Sequence, residues 1–302
     1  MNQFFSEDQE WKFILQKLSE IRTRGEYSAE EVDFIRQQLQ ALDDRVRGGA
    51  ALAAEGCLFE PQIIDLLLDL AENDTSVGVR KAALQSLQDV VREAVEQGLE
   101  NPAGASGDFD QLEEWTELQE GSFREHFERL KYILFTIMND DRSDLALQQM
   151  ALAALAYLGH LPEVQEWIRR FFRDEQQSSR LVALHAMGKF PQYWEEELSS
   201  MLEPDTPKAL LMEAVSSCFS SHSQHLARKL EALLDHPDPE VLSYVLMTLA
   251  NMNQTENLGD ILQRFSLHED SRVQEAARKA IDIFTQKNFD RFLNQYYPGS
   301  EE

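Results

Sequence analysis

DDRVRGGAALAA (43–54), SVGVRKAALQSL (76–87) and DSRVQEAARKAI (270–281) are three stretches of one chain that share one pattern. Written out, it is D/S-x-x-V-R/Q-x-x-A-x-x-A/S-L/I/A. Apolar residues recur three and four apart within each stretch, which is the period of a helix buried along one face. Further copies are more degenerate. Asp144-x-x-Leu147-Gln148-x-x-Ala151-x-x-Ala154-Leu155 keeps most of the pattern, Asp238-x-x-Val241 continues to Val245 and Leu249, and Asp205-x-x-Lys208 continues to Met212 and Val215. SRLVALHAMG (179–188) keeps the small residues and lacks the Asp. Aligned on the Val position, the copies fall at 46, 79, 147, 179, 208, 241 and 273, with steps of 33, 68, 32, 29, 33 and 32. Self-similarity at this period marks a repeat architecture.

A second apolar helical segment precedes most copies, as in PQIIDLLLDLAEN (61–73), LPEVQEWIRRFF (161–172) and SQHLARKLEALL (223–234). Gly or Pro marks the changes of direction at GHLP (159–162), GKFP (188–191) and HPDP (236–239). The unit is therefore an antiparallel helix pair. One pair cannot bury its own apolar face, so pairs must stack into a continuous core. Small residues such as Ala50, Ala83, Ala151, Ala183 and Ala277 let neighbouring helices approach closely. Asp43, Asp144, Asp205, Asp238 and Asp270 stand where a second helix begins, and read as N-caps. Arg47 and Arg80 are placed to bond such carboxylates or turn carbonyls of adjacent repeats. This ladder is structural in character.

The quoted D-x-x-V-R-x-x-A-x-x-A-L residues resemble the HEAT-repeat family, in the short bacterial form of phycobilisome-lyase-type proteins, over roughly residues 29–285. Tetratricopeptide and ankyrin signatures are absent. The expected fold is all-α: a right-handed α-solenoid of about seven antiparallel helix pairs with capping helices at both ends. One solenoid domain covers 1–302, with a cap over 1–28, repeats 1–2 over 29–97, and an acidic insertion over 98–121. Repeats 3–7 follow over 122–285, then a C-terminal cap and tail over 286–302.

The 302 residues are 43% hydrophobic and 27% charged, ample for a core. Net charge is −26, spread over successive thirds as −10, −9 and −7. Such a field repels phosphate backbones and disfavours nucleic acid as a partner. Cys57 and Cys218 sit inside helical patterns and read as buried thiols, which fits a reducing, cytoplasmic setting. The N-terminal residues lack the basic-then-apolar order of a signal peptide. The longest apolar stretch, 150–161, is too short to span a bilayer, so no membrane insertion is expected. The N-x-T triplets at Asn73 and Asn253 matter only in a secreted protein and are discounted.

No phosphate-binding, dinucleotide, zinc-protease or nucleophile-elbow motif is present. His222 and His225 are half of a metal site without a third ligand, and read as surface residues. HEAT-like di-iron hydroxylases carry several His-Glu dipeptides, whereas this chain has His268-Glu269 alone. HEAT-like DNA glycosylases need a basic surface. The residues name no catalytic group, metal or cofactor. The main expectation is a non-catalytic scaffold binding an extended, basic protein segment along its groove. The alternative implied by the resemblance is a phycobilin-lyase-like protein that handles a tetrapyrrole.

The double step from Val79 to Leu147 points to an excursion rather than a lost repeat. A long second helix over about 76–97 would lead into a Gly- and Pro-rich loop, with the next pair from about 122. From 99 to 121 there are seven acidic residues and no basic ones, and Phe109, Leu112, Trp115 and Leu118 recur every three residues. Packing of that stripe on the chain's own solenoid is favoured. An inert loop and a partner-docking motif remain open.

Overall fold

The computed structural model describes residues 7–100 and 117–296. These form fifteen α-helices and no strand. After α1 (Glu7–Arg24) they fall into seven pairs: α2 (Ala29–Gln38) with α3 (Asp44–Ala53), α4 (Pro61–Asn73) with α5 (Val77–Glu96), and α6 (Glu117–Asn139) with α7 (Leu145–Leu155). Next come α8 (Pro162–Phe172) with α9 (Gln177–Met187), α10 (Glu195–Met201) with α11 (Lys208–Ser217), α12 (Gln224–Ala232) with α13 (Pro239–Met252), and α14 (Leu258–Phe265) with α15 (Ser271–Tyr296). The fold is a helical solenoid. The stretch from 286 to 296 continues α15 without a break.

The chain packs as two compact units, Met1–Trp167 and Ile168–Glu302. In the first, α3 lies on α5 and α5 directly on α7, while α2 meets α4 and α4 meets α6. The contact of α5 with α7 means that no repeat stands between Val79 and Leu147. The long α5, the long α6 and the twenty residues between them make up the excess. In the second unit α9, α11, α13 and α15 stack in order, and α10 packs against α12. No helix among the described residues is long and apolar enough to cross a membrane.

The second helices from α3 to α13 bury the same positions. Counting from the Val position as zero, these are 0, +4, +5, +7 and +8. In α7 they are Leu147, Ala151, Leu152, Ala154 and Leu155, and in α13 they are Val241, Val245, Leu246, Thr248 and Leu249. Position +7 is always small: Ala53, Ser86, Ala154, Ala186, Ser217, Thr248 and Ala280. On α5 and α11 this position meets the preceding second helix. Ser86 donates its hydroxyl to the Ala51 carbonyl at 2.7 Å, and Ser217 does the same to Leu184 at 2.7 Å. Both acceptors sit at +5 of the helix before.

This geometry corrects one register. The fifth repeat is aligned on Leu210, not Lys208, because Leu210, Ala214, Val215, Ser217 and Cys218 are the buried set. The steps become 33, 68, 32, 31, 31 and 32, more even than the sequence pattern suggests. The cause is local. Pro207 holds the N-cap of α11 without a side-chain bond, and Asp205 lies outside the helix in a turn closed by Thr206 N–H on Glu203 O at 3.0 Å.

Candidate interaction surface

The other ladder carboxylates do cap. Asp43 accepts from Arg45 N at 2.9 Å, Asp144 from Leu147 N at 3.2 Å, Asp238 from Glu240 N at 2.9 Å and Asp270 from Arg272 N at 2.9 Å. The Arg45 guanidinium beside Asp43, and that of Arg272 beside Asp270, hold each carboxyl down at about 2. Arg47 joins two repeats. It donates to Asp74 through Nε at 2.7 Å and to the Ala41 and Leu42 carbonyls at 2.9 Å each. Arg80 Nε donates to the Ala71 carbonyl at 2.9 Å. Cys57 and Cys218 are buried free thiols, pushed up to about 11 and about 12, the first by burial and then by Glu60, the second by burial. Neither has the thiolate character that reactivity requires.

Burial of 0, +4, +5, +7 and +8 leaves +2, +3 and +6 uncovered on α9, α11 and α13. In the second unit these positions hold Leu181, Val182 and His185 on α9, Met212, Glu213 and Ser216 on α11, and Ser243, Tyr244 and Met247 on α13. Tyr244 is 44% exposed. His185 Nδ1 meets Glu213 Oε1 at 3.3 Å, linking α9 to α11 across this face. The surface is a strip of aliphatic, aromatic and thioether groups with few charges.

That strip is not acidic. The seven second helices carry twelve basic and nine acidic residues, whereas the described residues outside all fifteen helices carry three basic and eighteen acidic. Among the described residues the acidic surplus is concentrated in the turns. In the second unit the turns that lead into second helices (173–176, 202–207, 233–238 and 266–270) hold eight acids and one base. The turns at the opposite end (188–194, 218–223 and 253–257) hold Lys189 and Glu256. Only part of the acidic rim is committed. Asp238 meets Lys208 Nζ at 2.7 Å, Asp270 meets Arg272 at 2.7 Å and Glu203 meets Lys229 at 2.5 Å. Glu175, Asp205, Asp235 and Glu269 are exposed, one per turn, and none makes an ion pair among the described residues.

Two depressions lie in this unit. One, of about 550 Å³, is lined by Glu195, Glu196 and Ser199 on α10, His225 and Lys229 on α12, and Glu203 from the turn after α10. Ser199 Oγ and His225 Nε2 are 3.0 Å apart, a nucleophile–base distance. Yet His225 is exposed, and among the described residues no carboxylate bonds its second ring nitrogen. His222 is exposed as well. No group of three or more His, Cys, Asp or Glu able to hold a metal occurs among the described residues. The other depression, of about 490 Å³, lies on the acidic rim between the last two pairs. His236-Pro-Asp238 and His268-Glu-Asp270 are its two edges. Asp238 N–H donates to His236 Nδ1 at 3.1 Å, and Asp270 N–H to His268 Nδ1 at 3.0 Å. The first depression is walled mainly by polar groups, and the second combines His236, His268 and Glu269 with Pro237, Pro239 and Leu242.

Phe109, Leu112 and Trp115 lie outside the described residues. Leu118 falls in the first turn of α6, and its side chain is likewise outside them. The pairing of His236 with His268 had a sequence signal in the repeated H-x-D. The meeting of Ser199 with His225 had none.

No family model matches the chain, and no curated protein matches it. Solved structures do. YibA of Escherichia coli superposes with a TM-score of 0.50 at 13% identity, over 93% of each chain, and supports the fold alone. A designed armadillo repeat protein in complex with the peptide (KR)4 gives 0.34 at 18% identity, over 83% of this chain and 98% of that one. A second designed armadillo repeat protein gives 0.33 at 17% identity, again over 83% and 98%. The two designed proteins are too distant in geometry to bear on function.

Proposed function

We propose that the protein is a non-catalytic interaction scaffold that holds an extended protein segment across the uncovered side of its second helices. The observation that carries this reading is the strip itself. Leu181 and Met212 at +2, Tyr244 at +3 and Met247 at +6 stay partly open on successive second helices, while positions 0, +4, +5, +7 and +8 of the same helices are buried. A repeating strip of this kind offers one contact per repeat to an extended chain. A net charge of −26, with a surplus of carboxylates in the turns beside the strip, favours a basic partner. Buried, unpaired thiols favour a reducing compartment such as the cytoplasm.

A photo-crosslinking residue placed at Tyr244 tests this, with the same residue at exposed Arg228 on the first-helix side as control. The expected result is a defined protein adduct from position 244 and none from 228. Adducts from 228 alone would sink the proposal.

A further inference from the structure

Resting on the scaffold reading, we infer that the depression between the α12–α13 and α14–α15 turns is the anchoring pocket for one arginine or lysine side chain of the bound segment. Its lining includes three apolar side chains, Pro237, Pro239 and Leu242, of which Leu242 is buried. Its walls are the rings of His236 and His268. Its rim carries Glu269, an exposed carboxylate with no ion pair among the described residues.

The chemistry of each part selects the ligand. Backbone N–H groups can only donate, so the bonds from Asp238 and Asp270 fix both Nδ1 atoms as acceptors and leave each ring's proton on Nε2. The same two bonds hold the rings in place. His268 is held further by stacking on Phe265, with centroids 6.0 Å apart and planes 20° apart. The walls are therefore rigid before anything binds. Asp270 is occupied by Arg272, and Asp238 by Lys208, so neither carboxylate is free for a newcomer. Glu269 is. Apolar lining beside a single unspent carboxylate matches a long aliphatic stem ending in a cation, since such side chains lay the stem on apolar surface and keep the charge at the edge. An acidic or short polar side chain would gain nothing from the lining or the rim. The occupant is thus a basic residue, and it enters from the acidic end of the second helices rather than the neutral end.

Three eight-residue peptides test the assignment against the intact protein. One alternates Arg with Leu, one replaces each Arg by the neutral isostere citrulline, and one replaces it by Glu. Binding is read by fluorescence anisotropy, and the site by histidine ring ¹⁵N shifts. The expected result is binding of the Arg peptide with shifts at His236 and His268. The citrulline peptide should bind about tenfold more weakly, and Glu269→Gln should weaken the Arg peptide by about five- to tenfold, in line with loss of one charge-assisted contact. Glu256→Gln, at the neutral end, should change nothing. Equal affinity of the Arg and citrulline peptides, or binding that leaves both histidine signals and the Glu269→Gln affinity unchanged, would overturn the pocket. Peptide bound instead beside Tyr244 alone would overturn it while leaving the scaffold intact. Absence of any Arg-peptide binding, with a crosslinked partner still recovered at position 244, would do the same.

Discussion

The second unit has two rims made from the same helices, and they differ in what their residues are for. At the neutral rim the chain turns from a second helix into the next first helix through packed groups. Trp194 and Cys218 are fully buried, Pro191 and Ser221 are buried, and Gly188 lies so close to α11 that a Cβ there would sit 3.0 Å from Ser217 Cα. At the acidic rim only part of the charge has a structural task. Asp238 and Asp270 cap helices, whereas Glu175, Asp205, Asp235 and Glu269 neither cap nor pair. The difference separates charge that the fold requires from charge that it tolerates. Only the second kind is available to a partner.

Substitutions at the neutral rim should give the largest losses of stability. Trp194 fills its site completely, with the Arg169 guanidinium 5.1 Å from its ring. Trp194→Ala should cost ~3–5 kcal/mol, the range for emptying an aromatic site in a core, read as a lower urea midpoint of the second unit. Gly188→Ala adds one methyl against backbone rather than against a flexible side chain. The resulting shift of α9 against α11 should cost ~1–3 kcal/mol. If either variant unfolds like the parent, the neutral rim is not the packed one.

Capping acids at the other rim come next. Asp238→Ala removes an N-cap and the partner of Lys208 and should cost ~0.5–2 kcal/mol. The pH dependence follows from the pair of Asp270 with Arg272, which holds the carboxyl down at about 2. A group depressed on folding contributes its full stabilisation above its unfolded pKa, about 3.9, and loses it as pH falls through the folded value. Melting temperature should therefore fall between about pH 4 and pH 2, and Asp270→Asn should reduce that fall. An unchanged acid slope in Asp270→Asn would mean the bond to Arg272 is not made in solution.

Much of this was readable in the sequence, and the failures have definite causes. The helix pairs, the caps at Asp43, Asp144, Asp238 and Asp270, and the absence of a repeat between Val79 and Leu147 all leave local marks: small residues at fixed spacing, a carboxylate before the helix, and a broken period. The fifth repeat misled because Asp205-x-x-Lys208 imitates the motif while Pro207 delays the helix. The location of the acidic charge was not legible for another reason. Composition sums over the chain, and only helix boundaries reveal that the surplus sits in turns. Ser199 and His225 are 26 residues apart and meet only because α10 packs on α12.

The smallest effect is the one that best sharpens the contrast between the rims. Replacing Glu175, Asp205, Asp235 and Glu269 by their amides removes four exposed carboxylates that hold no helix and no cation. Exposed sites without such a role change stability by less than ~0.5 kcal/mol each, and easing repulsion within a strongly negative chain pushes the sum toward stabilisation. Urea and thermal midpoints of the fourfold variant should match or slightly exceed those of the parent, while affinity for a basic peptide and its dependence on salt both fall. Capping acids would show the reverse, losing stability first. A fourfold variant that unfolds several degrees early would mean these carboxylates belong to the fold after all, and the acidic rim would then be as structural as the neutral one.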